Sequence, residues 1–198
     1  MPAIDTFVAV ADRVHASAQG TRLVAVDGCG GAGKSTFAER LARACDGAPI
    51  VATDHFASWD NPIDWWPRLL EEVIEPLSVG RAARYQWYDW EQRTIGGWRE
   101  VEPEPVVIIE GVSSSRSEWV DRLAFIIWVE TPRALRLDRG LQRDGEGARA
   151  LWMMWMQAED AYVARDAPTE RADVIVDGAP VLHHDPEREF VRINPSAD

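Results

Sequence analysis

Apolar positions along the chain fall into two rhythms. Leu23-Val24-Ala25-Val26-Asp27, Pro49-Ile50-Val51-Ala52-Thr53, Val106-Val107-Ile108-Ile109 and Ala124–Val129 are short, unbroken and rich in β-branched residues. Such runs read as strands buried on both faces. Asp173–Val176 is a short fifth run, and Glu189–Ile193 near the end reads as one more short strand. Between these runs the spacing turns helical: Phe37, Leu41, Ala44 and Cys45 mark a helix over Thr36–Cys45, and Trp66–Leu77 reads as another. Pro132–Arg143 and Ala148–Ala164 are helical around an Asp144-Gly145-Glu146-Gly147 hinge, and Ile4, Phe7, Val8, Ala11 and Val14 predict one face of an N-terminal amphipathic helix. Tyr85–Trp98 is aromatic, charged and irregular. Strands alternating with helices predict an α/β fold with a parallel sheet covered on both faces, in which ligands sit at the carboxyl ends of the strands.

Composition narrows this picture. The 198 residues are 46% hydrophobic, enough for one folded domain over 1–198. A net charge of -12 disfavours long nucleic acids and anionic membranes, which need a basic face. No apolar run reaches the length of a membrane span, and the N-terminal stretch lacks a signal-peptide pattern. The two cysteines, Cys29 and Cys45, outline no disulfide framework, so a reducing cytoplasm is expected. The sequence leaves a homo-oligomer open.

Of 21 lysine and arginine side chains only Lys34 is lysine, and it stands in Gly28-Cys29-Gly30-Gly31-Ala32-Gly33-Lys34-Ser35. This fits the G-x-x-x-x-G-K-[ST] phosphate-binding loop, here in the required place between a strand and a helix. Glycines let consecutive N–H groups turn toward a phosphate, and the helix N-terminus adds partial positive charge. Gly28, Gly30, Gly31, Ala32, Gly33, Lys34, Ser35 and Thr36 are therefore the candidate nucleotide cradle. Lys34 is set to reach the β- and γ-phosphates, and the Ser35 hydroxyl to hold Mg²⁺.

Three carboxylates, Asp27, Asp54 and Glu110, fall at strand ends beside this loop. Asp54 is the candidate base toward an acceptor hydroxyl, and Glu110 the candidate partner of Ser35 on the metal. Arg136, Arg139 and Arg143 share one helical face, and a mobile lid over about 133–150 would bring them to the transferring phosphoryl group. Trp59, Trp65, Trp66, Trp87, Trp90 and Trp98 cluster in an insert over about 55–100, where aromatic faces either stack on a flat acceptor or pack a small subdomain. Trp152 and Trp155 read as helix packing, and His183-His184-Asp185 as loop.

The order of these features resembles the uridine kinase family of P-loop nucleoside kinases, from about Val24 to about Asp177. Asp54-His55-Phe56 is similar to that family's Asp-x-Phe-Tyr segment. Trp59-Asp60-Asn61-Pro62-Ile63-Asp64-Trp65 is similar to its Phe-Asp-His-Pro-Asp-Ala-Phe-Asp stretch. Tyr88-Asp89-Trp90 with Arg93, Ile109-Glu110-Gly111, the lid arginines and Ala172–Val176 complete the likeness. The resemblance implies a P-loop NTPase three-layer fold with a five-stranded sheet of order 2-3-1-4-5. It also implies a kinase that uses ATP and Mg²⁺. Asp54 would be the base toward a nucleoside 5′-hydroxyl, and Phe56, Trp59, Asp60, Tyr88, Trp90 and Arg93 would hold the acceptor. Ala57 stands where the family has tyrosine, Asn61 where it has histidine, and the histidine after Tyr88-Asp89-Trp90 is absent. The reaction class therefore carries over better than the substrate. A nucleoside monophosphate, sugar, vitamin or antibiotic remains an alternative acceptor, and a nucleotide-dependent switch the alternative class. No Asn-Lys-x-Asp guanine motif exists in a chain whose only lysine is Lys34, which favours ATP.

Overall fold

The computed structural model describes residues 2–17, 20–58, 61 and 63–193. Trp59 and Asp60 lie outside the described residues. The elements along the chain are β1 (Ala3–Thr6), α1 (Phe7–Ser17), β2 (Arg22–Asp27), α2 (Lys34–Ala44), β3 (Ile50–Ala52), α3 (Trp66–Leu69) and α4 (Glu75–Ser78). A hairpin of β4 (Ala83–Asp89) and β5 (Thr94–Val101) follows, then β6 (Val106–Glu110), β7 (Leu123–Glu130), α5 (Arg133–Asp144), α6 (Arg149–Asp166), α7 (Pro168–Arg171), β8 (Val174–Asp177) and β9 (Glu189–Ile193).

The main sheet has seven strands in the order β1-β9-β8-β7-β2-β6-β3, which corrects the five expected from the sequence; the five parallel strands β3-β6-β2-β7-β8 keep the expected 2-3-1-4-5 order, and β9 and β1 are added beyond them. The strands from β3 to β8 in this order run parallel; beyond β8 the sheet continues with β9, antiparallel to β8, and β1, antiparallel to β9. The N-terminal helix is also corrected. Ala3–Thr6 pairs with β9, the helix starts at Phe7, and Val8 is exposed while Phe7, Val10, Ala11 and Val14 are buried.

Alternate residues of the central strands feed two cores, as the two-residue period of a strand demands. Val24, Val26, Val106 and Ile108 face α1 and α2, where Phe7, Phe37 and Phe190 meet with ring centroids 5.1–5.4 Å apart. Leu23, Val107 and Ile109 face the other way, onto Leu69, Val73, Ile74, Leu77 and Trp119. The rod carrying Leu69, Val73, Ile74 and Leu77 joins α3 to α4 through a π-helical turn, Leu70–Ile74. Pro76 follows at once and has no N–H to continue the regular ladder, the setting in which a wider turn is tolerated. No helix among the described residues is long and apolar enough to cross a membrane.

The stretch Tyr85–Trp98, irregular by its pattern, is an antiparallel hairpin whose register shifts once, between Gln86 and Tyr88. Its order comes from cross-strand pairs of unlike type. Arg84 lies over the Trp98 ring at 4.3 Å and pairs with Glu100, and Arg99 lies over Trp87 at 5.4 Å.

Candidate active site

The loop between β2 and α2 is fixed from below by Asp27. This carboxylate is fully buried and accepts Gly28 N–H at 2.7 Å, Ser113 N–H at 2.9 Å, and Ser115 N–H and Oγ at 2.9 and 2.6 Å. The Tyr162 hydroxyl donates to it as well, at 2.6 Å. One aspartate thus joins the start of the phosphate loop to the segment after β6 and to α6.

The loop's carbonyls are engaged by donors around it. Lys34 Nζ donates to Cys29 O at 3.1 Å, Arg139 Nη1 to Gly31 O at 3.2 Å, and Thr131 Oγ1 to Ala32 O at 3.0 Å. Gly31 has φ +76°, and a Cβ there would come within 2.5 Å of the Arg136 carbonyl. Gly28, with φ +146°, would meet the Val129 carbonyl at the same distance. The loop has no room for side chains at these positions, as a backbone cradle for phosphate requires. Lys34 is 7% exposed at the start of α2.

Ser35 and Glu110 come together as expected, Ser35 Oγ donating to Glu110 Oε1 at 3.2 Å. Burial pushes the Glu110 carboxyl upward in pKa, while Lys34 and the Ser35 hydroxyl oppose that rise. Glu110 thus sits in a dry place where a cation would favour its charged form. An oxygen-only pair of hydroxyl and carboxylate suits a hard cation such as Mg²⁺.

A cleft of about 540 Å³ opens over the loop, lined among others by Lys34, Ser35, Thr36, Asp54, Glu110, Arg139 and Arg143. Asp54 stands in the single turn Thr53–His55 after β3, exposed, with its carbonyl accepting Trp90 Nε1 at 3.0 Å. A smaller annex of about 30 Å³ adjoins Asp54 and is walled by Ala57, Trp65, Trp90 and Trp155. Trp155 stacks edge-on against Trp90 at 5.5 Å, so its expected role in helix packing is corrected to include the cleft wall. Tyr88 packs edge-on against Trp90 at 5.2 Å. Arg93 lies in the turn between β4 and β5, with φ +54°.

Phe56, expected against the acceptor, is instead 4% exposed and packed on Tyr85, Trp65 and the Arg68 guanidinium. Its neighbour His55 bonds Tyr85 OH at 3.0 Å, and burial, helped by Arg99, lowers the His55 pKa to about 4. Cys29 and Cys45 are both buried, which raises their pKa values to about 12 and about 11.

The three arginines of α5 do not form one loose set. Arg136 is buried, donating to Thr131 O at 3.1 Å and to Glu159 Oε2 at 3.1 Å. Arg139 braces the loop and Gly178 O, the latter at 2.9 Å. Arg143 is largely exposed, forked onto Asp144 and stacked over Trp152. Glu159 is the functional-site residue that the sequence reading missed. It lies on α6 in the buried series Trp152, Met156, Glu159 and Tyr162, and its Oε1 accepts Gly30 N–H at 2.9 Å. The available signal was an acid on the apolar stripe of a helix, where an unpaired charge is not tolerated.

No protein-family model matches the chain, and no curated protein matches it. Solved structures do. One, described as "a possible uridine kinase" from Bacillus stearothermophilus, is similar with a TM-score of 0.63 and 21% identity, over 85% of this chain and 100% of that one. Another, described as a "putative fructose transport system kinase" from Silicibacter sp. TM1040, has a TM-score of 0.57 and 24% identity, over 85% of this chain and 95% of that one. The chain shares the fold of these two proteins.

Proposed function

We propose that this protein is a kinase that transfers the γ-phosphoryl group of ATP to a hydroxyl of a small molecule, namely the 5′-hydroxyl of a nucleoside such as uridine or cytidine. The observation that carries the reading is the convergence of Lys34, the Ser35–Glu110 pair and Asp54 on one cleft. The glycine positions that exclude any Cβ fit a phosphate chain, and the Ser35–Glu110 oxygens fit Mg²⁺. When bound, the metal supplies neutralisation of charge on the phosphates. The chain's own groups do the rest. Lys34 leaves the Cys29 carbonyl for the β- and γ-phosphate oxygens. Asp54, across the cleft, orients the acceptor hydroxyl and takes its proton. Arg139 and Arg143, on the cleft wall, stabilise charge on the moving group. Positioning and electrostatics account for most of the rate in such chemistry.

A second acceptor class is a sugar. The name of the second structural neighbour agrees with that class. The test is ADP release from ATP and Mg²⁺ against a panel of nucleosides, nucleoside monophosphates, sugars and vitamins, with product mass spectrometry. A nucleoside gaining one phosphate supports the main reading, and a sugar gaining one moves the acceptor to the second. ATP binding with no acceptor-dependent ADP from any compound refutes phosphotransfer to these classes and favours a nucleotide-dependent switch.

A further inference from the structure

Glu159 is a buried charge that the mechanism above leaves unused. It is 5% exposed, and its carboxylate is shared between two partners. Oε1 accepts Gly30 N–H from the phosphate loop, and Oε2 accepts the buried Arg136 guanidinium. A loop N–H and a buried arginine are the two kinds of group that bind a phosphate oxygen. An anion of the protein's own therefore occupies part of the loop built for a ligand's anion.

The location says which part. Glu159 lines the main cleft and also the annex that holds Asp54 and the tryptophans. The annex is the acceptor side, so Glu159 stands where the phosphate chain ends and the acceptor begins. The group at that end is the γ-phosphoryl. Contact there is already close: a Cβ on Gly30 would lie 2.9 Å from Glu159 Oε1 and 3.2 Å from the Trp152 ring. A terminal phosphate and the Glu159 carboxylate cannot share Gly30 N–H without two anions in contact at a site of low polarity.

We propose that Glu159 is a positioning residue that stands in for the terminal phosphate: a bound triphosphate takes over Gly30 N–H and Arg136, and the carboxylate on α6 withdraws. This rests on the phosphotransferase reading above and adds to it a discrimination between nucleotides. A diphosphate lacks the group that competes with Glu159 and leaves the contact closed. A triphosphate opens it, which frees Arg136 for the transferring group and loosens α6 from the loop at the moment of loading.

The test is the dissociation constant of a non-hydrolysable ATP analogue and of ADP, each with Mg²⁺, by calorimetry on the wild type, Glu159→Gln and Glu159→Asp. Glutamine keeps the length and removes the charge. Aspartate keeps the charge and is one methylene too short to span Gly30 and Arg136. Both variants are expected to bind the triphosphate analogue about tenfold tighter, the size of losing one competing charged hydrogen bond, with ADP unchanged within about twofold. Amide exchange across 156–162 in the wild type should rise with the analogue and not with ADP. If glutamine and aspartate weaken both nucleotides together, or leave their ratio at the wild-type value, Glu159 only supports the loop and the proposal falls alone. A wild-type protein that binds neither nucleotide overturns the phosphotransferase reading together with this one.

Discussion

Replacing Tyr162 with phenylalanine removes the short hydrogen bond to Asp27 at the base of the glycine-rich loop, together with a long one to Ser115 Oγ at 3.5 Å. The phenol is 1% exposed and donates to Asp27 Oδ2 at 2.6 Å. Burial and the neighbouring Asp27 charge push its pKa upward, so the hydroxyl stays protonated and donates at any pH where the protein is native. Phenylalanine removes that donor and almost no volume, so no cavity term enters. Oδ2 still accepts from Ser115 N–H and Ser115 Oγ, and Oδ1 keeps both of its donors, so the carboxylate is not orphaned. A hydrogen bond to a charged group contributes about 1.5–3 kcal/mol. With these other donors left, a loss of about 2 kcal/mol is expected, in the lower half of that range. Equilibrium urea unfolding reads it directly: with a slope of about 2 kcal/mol per molar, the midpoint falls by about 1 M. The melting temperature falls by about 4–8 °C for a chain of this size. A midpoint within about 0.25 M of wild type, at an unchanged slope, refutes the role given to Asp27.

Three further outcomes follow from the site. Asp54→Asn should keep nucleotide binding, since Asp54 lies off the loop, and lose turnover by about 10²–10⁴-fold; full activity removes Asp54 as the base. Burial holds the His55 pKa at about 4 against an ordinary 6.5. Between those values the unfolded chain binds a proton that folded His55 refuses, so stability should fall as pH drops through that window and level off below it. His55→Gln should flatten that part of a urea-midpoint-against-pH curve, and an unchanged slope rejects the assignment. Burial raises the thiols of Cys29 and Cys45 to about 12 and about 11, so at pH 8 neither should react with a disulfide reagent until urea unfolds the protein. Stoichiometric labelling of the native state would show the loop cysteine to be open.

The glycine-rich turn between β2 and α2 was legible because its requirement is local. A tight anion cradle needs glycines at fixed offsets, a strand before them and a helix after them, and all three lie within about twenty residues. The Ser35–Glu110 contact was legible for a related reason: Glu110 ends an all-apolar strand, and the register of β6 beside β2 then carries it to the loop. The β4–β5 hairpin was not legible. Its strands are stabilised by Arg84 on Trp98 and Arg99 on Trp87, pairs that break the alternation of apolar and polar on which strand reading depends. β1 was hidden differently. Ile4 falls three residues before Phe7, a helical spacing, yet the hydrogen bonds that make Ala3–Thr6 a strand come from Glu189–Arg192 at the far end of the chain.

Helix α5 shows where one-dimensional reading stops. Positions i, i+3 and i+7 put Arg136, Arg139 and Arg143 on one face of α5 but say nothing about depth. Depth decides their chemistry. Arg136 has an 8% exposed side chain and is neutralised by Glu159, whereas the Arg143 side chain is 72% exposed and pairs with Asp144 beside it. A buried guanidinium held by a carboxylate reaches a phosphate only by exchanging partners, and a surface one by changing rotamer. The two arginines therefore respond to different events. Under the proposal above, Arg136 answers only to an anion that also competes for Gly30 N–H, because the same carboxylate holds both, whereas Arg143 is held by its neighbour Asp144. That shared hold depends on an acid placed at position 159 of a helix face whose other buried residues are Trp152, Met156, Tyr162 and Asp166, and it joins the glycine-rich loop to α5 through one carboxylate.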